Sequence, residues 1–482
     1  MKSRHWSAAV TVLAIGAAAV VLSFRPIYEP DLWWHLAHGR ENVAGRIVRT
    51  NVFSFAYGDY RQHYTSWLFD TAAYLGWMAG GPAAIQLLQA VLLALTLALL
   101  YAACRVRSPD ANGMAVAAVL LIGFFILEPR AIPRPHLVSF AGLALCALLV
   151  ERAIARRSAA PLFWAVPAVA VWSNFHVECV FGVTLIGLFA ASELVRPMAL
   201  ARRESRRAAI AAAGCAVALL ANPYGWGLLA YLYENRAVPS IVTIAELEPP
   251  PLPAYRAFYV YLAAFAALAA WRWRALRPWE IAGGVIFAAL GLRFLRLTPL
   301  LLATAPLVAS RLALLTRKRR HAHALLFAAV CIGLLVSRIP PRLLVTELSA
   351  GARAVAPDAF FSAGAIAFAR ETGLEGAVFN SHNLGGYLAW MLYPRVQIFQ
   401  DSRLQAYPPE HFLSILVASR SQADWDVLVA DVDWAIVSLP RPNQLSGVGK
   451  FPPADWPVVF RDDAVEIAVR RTGKFGRLAE AR

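Results

Sequence analysis

The sequence predicts a mostly α-helical fold: a polytopic membrane bundle of about eleven transmembrane helices, followed by a C-terminal α/β or α+β domain. Apolar residues make up 59% of the 482 residues and charged residues only 16%, whereas an ordinary soluble domain is about a quarter charged. Apolar stretches of roughly 15 to 22 residues recur between residues 6 and 337, a length that suits a bilayer. Beyond residue 338, short apolar runs alternate with Asp, Arg, Pro and Gly, which is typical of a water-soluble domain.

The predicted membrane helices follow from these apolar stretches. We place them near residues 7–24, 84–104, 113–127, 137–151, 161–175, 178–195, 208–222, 255–271, 280–295, 298–315 and 324–338. The helical membrane domain is then residues 1–342, with a first external loop at 25–83, and the soluble domain is 343–482. The apolar segment 67–78 is too short to cross a bilayer, so we expect it to form a helix on the outer surface.

The positive charge of the chain indicates its orientation. Lys and Arg number 46 against 30 Asp and Glu, which gives a net charge of +16. The basic clusters lie between predicted helices, at residues 105–107, 152–157, 196–207, 272–277 and 317–320, and such short basic loops mark the cytoplasmic face. We therefore expect an inner-membrane protein with a cytoplasmic N-terminus and a periplasmic or extracellular C-terminal domain. This distribution does not predict a nucleic-acid partner.

The strongest chemical signal is YEPDLWWHLAHGR at residues 28–40, just after the first predicted helix. Its carboxylates, Glu29 and Asp31, are candidate catalytic residues, because a carboxylate can serve as a general base. Together they could also hold a divalent cation, Mg²⁺ or Mn²⁺, through hard oxygen ligands. His35 is a candidate substrate contact in the same segment. The alternative is an aromatic belt, in which the Trp-Trp pair lies at headgroup depth and the acids are solvated.

Further polar groups collect in loops that the predicted topology places on the same outer face. They are candidate substrate contacts, because ionisable groups that flank membrane spans are costly unless they line a polar cavity. This set consists of Arg134, His136, Asn174, His176 and Glu246. Arg293 and Arg296, in GLRFLRLTP, could bind the phosphate of a lipid carrier through planar donors. Snorkelling anchors at the membrane surface would explain these two arginines equally well.

The C-terminal domain contains FNSHNLGGYLAWMLYPRVQIFQDSRLQAY at residues 379–407. This segment predicts a strand, a Gly-rich turn, a short helix, a strand and a polar turn. Asn383, Asp401 and Arg403 lie at the turns and are candidate substrate contacts; the alternative is that Asp401 pairs with Arg403 in a structural role. The sequence has no GxSxG, P-loop, HExxH or CxxC motif, so most soluble-enzyme chemistries are not indicated.

Several short motifs together resemble a known superfamily. They are PDLWWHLAHGR, RPH, SNFHVE, HNLGGYLAW and FQDSR, and they resemble bacterial membrane proteins of the GT-C glycosyltransferase superfamily, which includes protein mannosyltransferases and oligosaccharyltransferase catalytic subunits. The resemblance implies a multi-helix enzyme that takes sugars from polyprenyl-phosphate or polyprenyl-diphosphate carriers, with acidic residues of the first external loop at its active site. Glu29 and Asp31 match that acidic position.

A fainter similarity concerns the C-terminal motifs. HNLGGY followed by QDSR is similar in placement to the WWDYG region of oligosaccharyltransferase catalytic subunits, which contacts the acceptor peptide there. The resemblance makes Asn383 and Tyr387 candidate acceptor contacts. The Trp-Trp-Asp itself is absent from this chain, so recognition of a peptide acceptor is not implied.

The sequence thus predicts a membrane glycosyltransferase acting at the outer face of the inner membrane on a hexose or a pentose. Its expected partners are the bilayer, a polyprenyl-phosphate-linked sugar donor and a glycan, lipid or protein acceptor. Asp31 is the expected base or metal ligand, Glu29 its partner, and Arg293 or Arg296 the contact to the carrier phosphate. The alternative is a non-catalytic scaffold or envelope-assembly protein that binds a periplasmic partner. A transporter is less favoured, because the ionisable groups lie at one face rather than at the bilayer midplane.

Overall fold

A computed structural model describes residues 17, 19, 23, 26–62, 64–109, 113–234, 244–316, 361–439 and 451–480. These residues form two compact units. The helical unit contains Ala83–Leu228 and the described residues of Met1–Arg25 and Ile244–Ala352. The sheet unit combines Pro26–Pro82 with the described residues of Leu229–Thr243 and Arg353–Arg482.

Helices dominate the first two thirds of the chain. They are α1 (Asp31–Val43), α2 (Trp67–Arg107), α3 (Gly113–Leu127), α4 (His136–Arg156), α5 (Ala165–Trp172), α6 (Cys179–Val195), α7 (Arg202–Ala218), α8 (Gly227–Glu234), α9 (Arg256–Trp271), α10 (Pro278–Arg293) and α11 (Ala305–Thr316). Short 3₁₀ helices connect several of them, at Glu128–Arg130, Ala160–Trp164, Ala245–Leu247, Trp273–Ala275 and Leu295–Thr304.

The predicted spans between residues 84 and 315 all coincide with helical segments, because each is an apolar stretch bounded by polar or Pro-rich residues. Within the described residues, three helical segments are long and apolar enough to cross a membrane: Trp67–Arg107, His136–Arg156 and Leu295–Leu314. The other apolar helices are shorter, so the expected count of about eleven spans is not confirmed. The predicted spans 7–24, apart from three residues, and 324–338 lie outside the described residues.

Helix α2 is interrupted where the sequence reads Gly-Gly-Pro. Gly80 and Gly81 have non-helical backbone angles, and Gly81 has φ 57° and ψ −143°, a conformation that suits a residue without a side chain. Pro82 follows and lacks the backbone N–H that a continuous helix needs. The break separates the short apolar segment 67–78 from the predicted span at 84–104.

A buried ion cluster joins three helices in the helical unit. Arg107 of α2 donates to Glu151 of α4 over 2.7 Å and to Glu280 of α10 over 2.6 Å. Glu151 and Glu280 are 3% and 4% exposed. Removing one member of such a cluster leaves a buried charge without compensation, so the cluster fixes how these helices pack.

The sheet unit contains a mixed five-stranded sheet. Its strands are β1 (Gly376–Asn380), β2 (Val396–Ile398), β3 (Trp434–Ser438), β4 (Val458–Arg461) and β5 (Val465–Val469), in the order β2-β1-β3-β5-β4. Strand β1 pairs in parallel with β2 and β3, while β5 pairs antiparallel with β3 and β4. Its helices are α12 (Ala363–Glu371), α13 (Gly385–Leu392), α14 (Pro409–Ala418) and α15 (Gln422–Leu428), with 3₁₀ turns at His382–Leu384, Leu404–Ala406 and Gly476–Ala479.

The predicted order of elements in residues 379–407 is confirmed apart from the Gly-rich turn. Strand β1 is followed by the 3₁₀ turn, helix α13, strand β2 and the turn that carries Asp401 and Arg403. The Gly-rich part of the segment begins α13 rather than forming a separate turn. Aromatic side chains fill the space beside the sheet, among them Phe379, Phe399 and Trp425.

The first external loop belongs to the sheet unit. The backbone N–H of Ile398 donates to the carbonyl of Phe53 over 2.9 Å, and that of Phe55 donates to Ile398 over 3.2 Å. These bonds add a short parallel bridge to the edge of β2. The sequence places the loop 25–83 with the membrane domain, whereas its described residues pack with the C-terminal part of the chain. The expected domain boundary at residue 342 lies outside the described residues.

Candidate functional site

Asp31 begins helix α1 in the sheet unit. Its backbone N–H donates to Oε1 of Glu29 over 3.1 Å, so Glu29, which is 7% exposed, caps the first turn of the helix. The hydroxyl of Ser402 donates to Oδ1 of Asp31. The positive end of the helix macrodipole favours negative charge at this position. A carboxylate held there by a hydroxyl is a suitable group to accept a proton from a bound molecule.

Ser402 lies between two buried and oppositely charged residues. Arg403 donates from Nε to both carboxylate oxygens of Asp401, over 3.0 and 2.9 Å, and from Nη2 to Oδ2 over 2.6 Å. The second bond from Nη2 goes to Oδ1 of Asn51 over 2.7 Å. Asp401 and Arg403 are 0% and 1% exposed. A direct contact of either side chain with a substrate would require the surrounding residues to move, and their pairing agrees with the structural alternative left open by the sequence.

Arg403 also determines which ring nitrogen of the buried His38 carries the proton. Its Nη1 lies 2.7 Å from Nε2 of His38, and a guanidinium can only donate. Nε2 of His38 therefore accepts, and the single proton of a neutral ring is on Nδ1. Burial lowers the pKa of His38 well below its ordinary value, and the charge of Arg403 lowers it further. His38 is thus neutral near pH 7.

His35 faces an acid rather than open space. Its Nδ1 lies 2.6 Å from Oδ1 of Asp70, and Nδ1 of His38 lies 3.7 Å from the other oxygen of Asp70. All three side chains are at most 2% exposed. The predicted substrate contact His35 is therefore part of a buried polar network that extends through His38 to Arg403.

Two glycines allow helix α13 to approach the residues around Asp31. A Cβ atom at Gly385 would lie 2.0 Å from the carbonyl oxygen of Gln400. One at Gly386 would lie 3.2 Å from the carbonyl oxygen of Pro30. The start of α13 is therefore packed against the turn before Asp31 and against the turn before Ser402. Gly385 is needed for its close approach, whereas a Cβ at Gly386 would require its neighbours to shift by a few tenths of an ångström.

The predicted acceptor contacts occupy different environments. Asn383 is exposed. Tyr387 is 7% exposed, and its ring centre lies 4.9 Å from that of Trp33 in α1. Tyr387 therefore packs against the helix that carries Asp31, while only Asn383 of the two presents its side chain to solvent.

Three residues near Asp31 were not selected from the sequence: His38, His382 and Ser402. His382 begins the 3₁₀ turn after β1, and burial lowers its pKa while the charges of Asp401 and Asp31 oppose that shift. The sequence did offer a signal for His382, because it directly precedes the candidate contact Asn383 in the same predicted turn. Ser402 gave none, because a serine in a polar turn is common.

A second polar cluster lies in the helical unit. Arg130 and Arg134 both donate to Oε1 of Glu246, each over 2.7 Å. Burial alone would raise the pKa of Glu246, but the charges of Arg134 and Arg130 outweigh it and lower the pKa to about 2. Glu246 is therefore ionised, and the two arginines share its single negative charge.

Arg296 approaches the same cluster from another connection. The backbone N–H of Leu295 donates to the carbonyl of Glu248 over 2.8 Å, and Arg293 donates to the carbonyl of Leu247 over 2.8 Å. These bonds hold the Glu246 turn beside the end of α10, and Arg296 acts electrostatically on Glu246. Nε of Arg296 and Nε of Arg130 are buried, and neither has a hydrogen-bond partner among the described residues.

The remaining predicted residues of the helical unit have structural partners. His136 places Nε2 2.8 Å from the carbonyl oxygen of Arg130. His176 lies with Nδ1 2.8 Å from the hydroxyl of Ser139 and 3.5 Å from Oε2 of Glu178. Asn174 donates to two backbone carbonyls. His136 thus supports the arginine cluster, while Asn174 links the end of α5 to the segment that follows α7.

A metal site is tested by the donor set. The described residues contain no group of three or more His, Cys, Asp or Glu side chains placed to hold a metal ion. Glu29 and Asp31 therefore have no third protein ligand of this kind within that part of the chain.

No protein-family model and no curated protein sequence matches this chain. The solved structures that share its fold include oligosaccharyltransferases of archaea. The apo crystal structure of the Archaeoglobus fulgidus oligosaccharyltransferase superposes with a TM-score of 0.62 at 11% identity, over 89% of this chain and 69% of that one. The archaeal oligosaccharyltransferase AglB from Archaeoglobus fulgidus, in complex with an inhibitory peptide and a dolichol-phosphate, gives 0.61 at 13% identity, over 90% and 69%.

A further structure of the same archaeal enzyme, with Zn and sulfate, gives a TM-score of 0.51 at 13% identity, over 88% of this chain and 67% of that one. At identities this low, the superpositions establish a shared fold. The chain therefore has the fold of archaeal oligosaccharyltransferase, which agrees with the resemblance found in its short motifs.

Proposed function

We propose that this chain is a membrane glycosyltransferase that moves a sugar from a polyprenyl-phosphate or polyprenyl-diphosphate carrier to an acceptor at the outer face of a bacterial inner membrane. The observation that carries the proposal is the arginine cluster around Glu246. Arg130 and Arg296 have buried Nε atoms without a hydrogen-bond partner among the described residues. Buried donors of this kind are costly unless an acceptor satisfies them.

A phosphate group suits these donors better than a neutral ligand does. The cluster holds three guanidinium groups, from Arg130, Arg134 and Arg296, around Glu246. An excess of positive charge remains, and guanidinium groups bind phosphate oxygens through charge-assisted hydrogen bonds. The fold supports the same class of ligand, since one neighbour of this fold was solved with a dolichol-phosphate. Arg293, exposed at the same connection, is a second candidate contact.

Asp31 supplies the base in this proposal. The acceptor hydroxyl attacks the anomeric carbon of the sugar, its proton passes to the Asp31 carboxylate, and the bond between the sugar and the carrier phosphate breaks. The phosphate leaves with the electron pair. Glu29 orders the first turn of α1 beneath Asp31 through the hydrogen bond to its backbone.

Transfer of radiolabelled sugar by the purified full chain tests the proposal. The donors are polyprenyl-phosphate hexose, polyprenyl-phosphate pentose and a polyprenyl-diphosphate oligosaccharide, and the acceptors are supplied as a membrane extract. Asp31→Asn keeps the shape of the side chain and removes its charge, and loss of general-base catalysis lowers the rate roughly 100-fold to 10,000-fold. Asp59→Asn is the matched control, because Asp59 is an exposed acid in the same loop.

The control variant should transfer sugar at the rate of the unsubstituted protein. An Asp31→Asn protein that transfers sugar as fast as the Asp59→Asn protein would contradict the role of Asp31. Absence of transfer from every donor class by the unsubstituted protein would contradict the proposed function and would favour a non-catalytic scaffold in the envelope.

A further inference from the structure

We propose that Ser402 is a positioning residue for the Asp31 carboxylate, and that the buried Asp401–Arg403 pair, anchored on His38 and Asn51, holds Ser402 in place. The inference rests on the proposed function only in so far as Asp31 is the catalytic group. The structural part of the inference concerns a contact between two segments of the sheet unit, and it can be measured without any enzymatic activity.

The first step is the contact itself. The hydroxyl of Ser402 donates to Oδ1 of Asp31, although the two residues lie 371 positions apart in the sequence. The terminal torsion of an aspartate is broad rather than restricted to sharp wells. A hydrogen bond to one oxygen therefore restricts how the carboxylate can turn. Ser402 is half-buried, so water competes less for this bond than it would at an open surface.

The second step is the support on either side of Ser402. Its neighbours Asp401 and Arg403 form a buried pair with three side-chain hydrogen bonds between them. The backbone N–H of Arg403 also donates to Oδ1 of Asp401 over 2.9 Å, which closes a tight turn around Ser402. The residue between two such anchors has little freedom to move.

The third step links this turn to the helix that carries Asp31. Arg403 donates to Nε2 of His38, seven residues after Asp31 in α1, and to Oδ1 of Asn51 in the loop that follows. Asn51 donates in turn to the carbonyl of Ala406 over 2.9 Å. The turn that contains Ser402 is thus fixed to α1 and to the following loop through residues that come after Ser402.

The expected chemical consequence is a loss of rate without a loss of substrate binding. Misplacement of a reacting group by about 1 Å can lower the rate roughly 100-fold. Ser402→Ala should lower kcat by that factor and change KM for the donor little, since Ser402 is assigned no contact with the donor. Ser402→Thr keeps the hydroxyl and should restore most of kcat. Ser414→Ala is the matched control, because Ser414 is also half-buried but bonds the carbonyl of His411.

The second measurement is a thermal double-mutant cycle on the full chain in lipid nanodiscs. Asp31→Ala and Ser402→Ala should be non-additive in unfolding temperature, because the two residues share one hydrogen bond. Asp59→Ala and Ser402→Ala should be additive. An additive first cycle would overturn the contact, whether or not the protein transfers sugar.

The two measurements separate the two proposals. If the unsubstituted protein transfers no sugar but the first cycle is non-additive, the proposed function fails and the Ser402 contact stands. If the unsubstituted protein is active but Ser402→Ala keeps the kcat of Ser414→Ala, Ser402 does not position the catalytic group.

Discussion

The guanidinium of Arg403 donates a hydrogen bond of 2.7 Å to Nε2 of His38, across 365 positions of sequence. Arg403 lies in the C-terminal part of the chain and His38 in the first helix after residue 30. Their contact is fully buried, with exposed fractions of 1% and 0%. The candidate catalytic residue Asp31 therefore lies in a unit that is formed by both the N-terminal and the C-terminal part of the chain.

Arg403→Met should destabilise the sheet unit strongly. The substitution leaves the Asp401 carboxylate buried without its counter-charge, which costs about 3–5 kcal/mol. The free energy of unfolding of Arg403→Lys should lie between those of Arg403→Met and the unsubstituted protein, because an ammonium cannot reproduce the forked bonds of a guanidinium. Denaturant titration in detergent measures the free energy of unfolding. Arg461→Met is the control: Arg461 is exposed and lies 3.9 Å from Glu466, so its loss should cost about 0–1 kcal/mol. Equal effects of the two Met substitutions would contradict this assignment.

Gly385→Ala should lower the unfolding temperature. The added Cβ would lie 2.0 Å from the carbonyl oxygen of Gln400 and 2.7 Å from Cβ of Asp401. Overpacking of this kind costs typically about 1–3 kcal/mol. Gly187→Ala in α6 provides the control, because a Cβ there meets nothing within 4 Å, and a helical Gly→Ala change stabilises by about 0.5–1 kcal/mol. The two variants should shift the unfolding temperature in opposite directions, and a shift in the same direction would argue against the close packing of α13.

The buried histidines should lower the stability of the sheet unit as the pH falls below about 6.5, the ordinary pKa of histidine. Asp70, whose pKa is raised by burial, acts in the opposite direction. Folding lowers the pKa of His38, so the unfolded chain binds a proton that the folded chain excludes, and this penalises the folded state at acidic pH. His382 and His411 have lowered pKa values as well, and the pKa of His411 is about 4. Each histidine therefore contributes to the same decline.

His38→Gln isolates one contribution, because the amide oxygen can still accept from Arg403. The unfolding temperature of the variant should decline less than that of the unsubstituted protein between pH 7.5 and pH 5.5. Above pH 7.5 the two curves should run parallel, since His38 is neutral in both the folded and the unfolded chain there. Parallel curves over the whole range would show that His38 titrates alike in both states.

Arg296→Gln should weaken donor binding. A charge-assisted hydrogen bond contributes about 1.5–3 kcal/mol, which corresponds to an increase in KM for the lipid-linked donor of about 10- to 100-fold. Arg207→Gln is the control, because Arg207 is an exposed arginine of α7 that pairs with Glu204. An unchanged KM for Arg296→Gln would remove Arg296 from the carrier site and would leave Arg293 as the candidate.

The orientation in the membrane can be tested with single cysteines in a cysteine-free variant. An impermeant thiol reagent should label Asp59→Cys and Arg420→Cys from outside intact cells, and should not label Arg203→Cys. All three positions are exposed, so accessibility of the side chain does not limit the reaction. Labelling of Arg203→Cys without labelling of Arg420→Cys would reverse the orientation derived from the basic loops.

The local elements were predictable because their signals are local. Each apolar stretch between residues 84 and 315 is helical, since its length and composition leave few other ways to satisfy the backbone. The pairing of Asp401 with Arg403 was foreseen as an alternative because the residues are two positions apart. The sequence predicted that Arg134 and Glu246 lie on the same face of the membrane. It did not predict their hydrogen bond, because loop sequences do not show which side chains touch.

The long-range contacts were not predictable from one sequence. Nothing in the residues around Asn51 indicates that its amide accepts from Arg403, because the partner lies 352 positions away. Likewise the integration of the first loop into the sheet unit depends on backbone bonds between Phe53 and Ile398, and backbone bonds leave no signature in side chains. The proton position on His38 follows only once Arg403 is known to face it.

The hydrogen bond between Arg403 and His38 can form only after both residues have been synthesised. At about 5–20 residues per second, a ribosome needs on the order of 20 to 70 s to cover the 365 positions between them. During that interval the polar network of His38, Asn51 and Asp70 lacks the guanidinium of Arg403. A nascent chain that ends before residue 403 lacks this guanidinium, so Nε2 of His38 and Oδ1 of Asn51 have no Arg403 from which to accept.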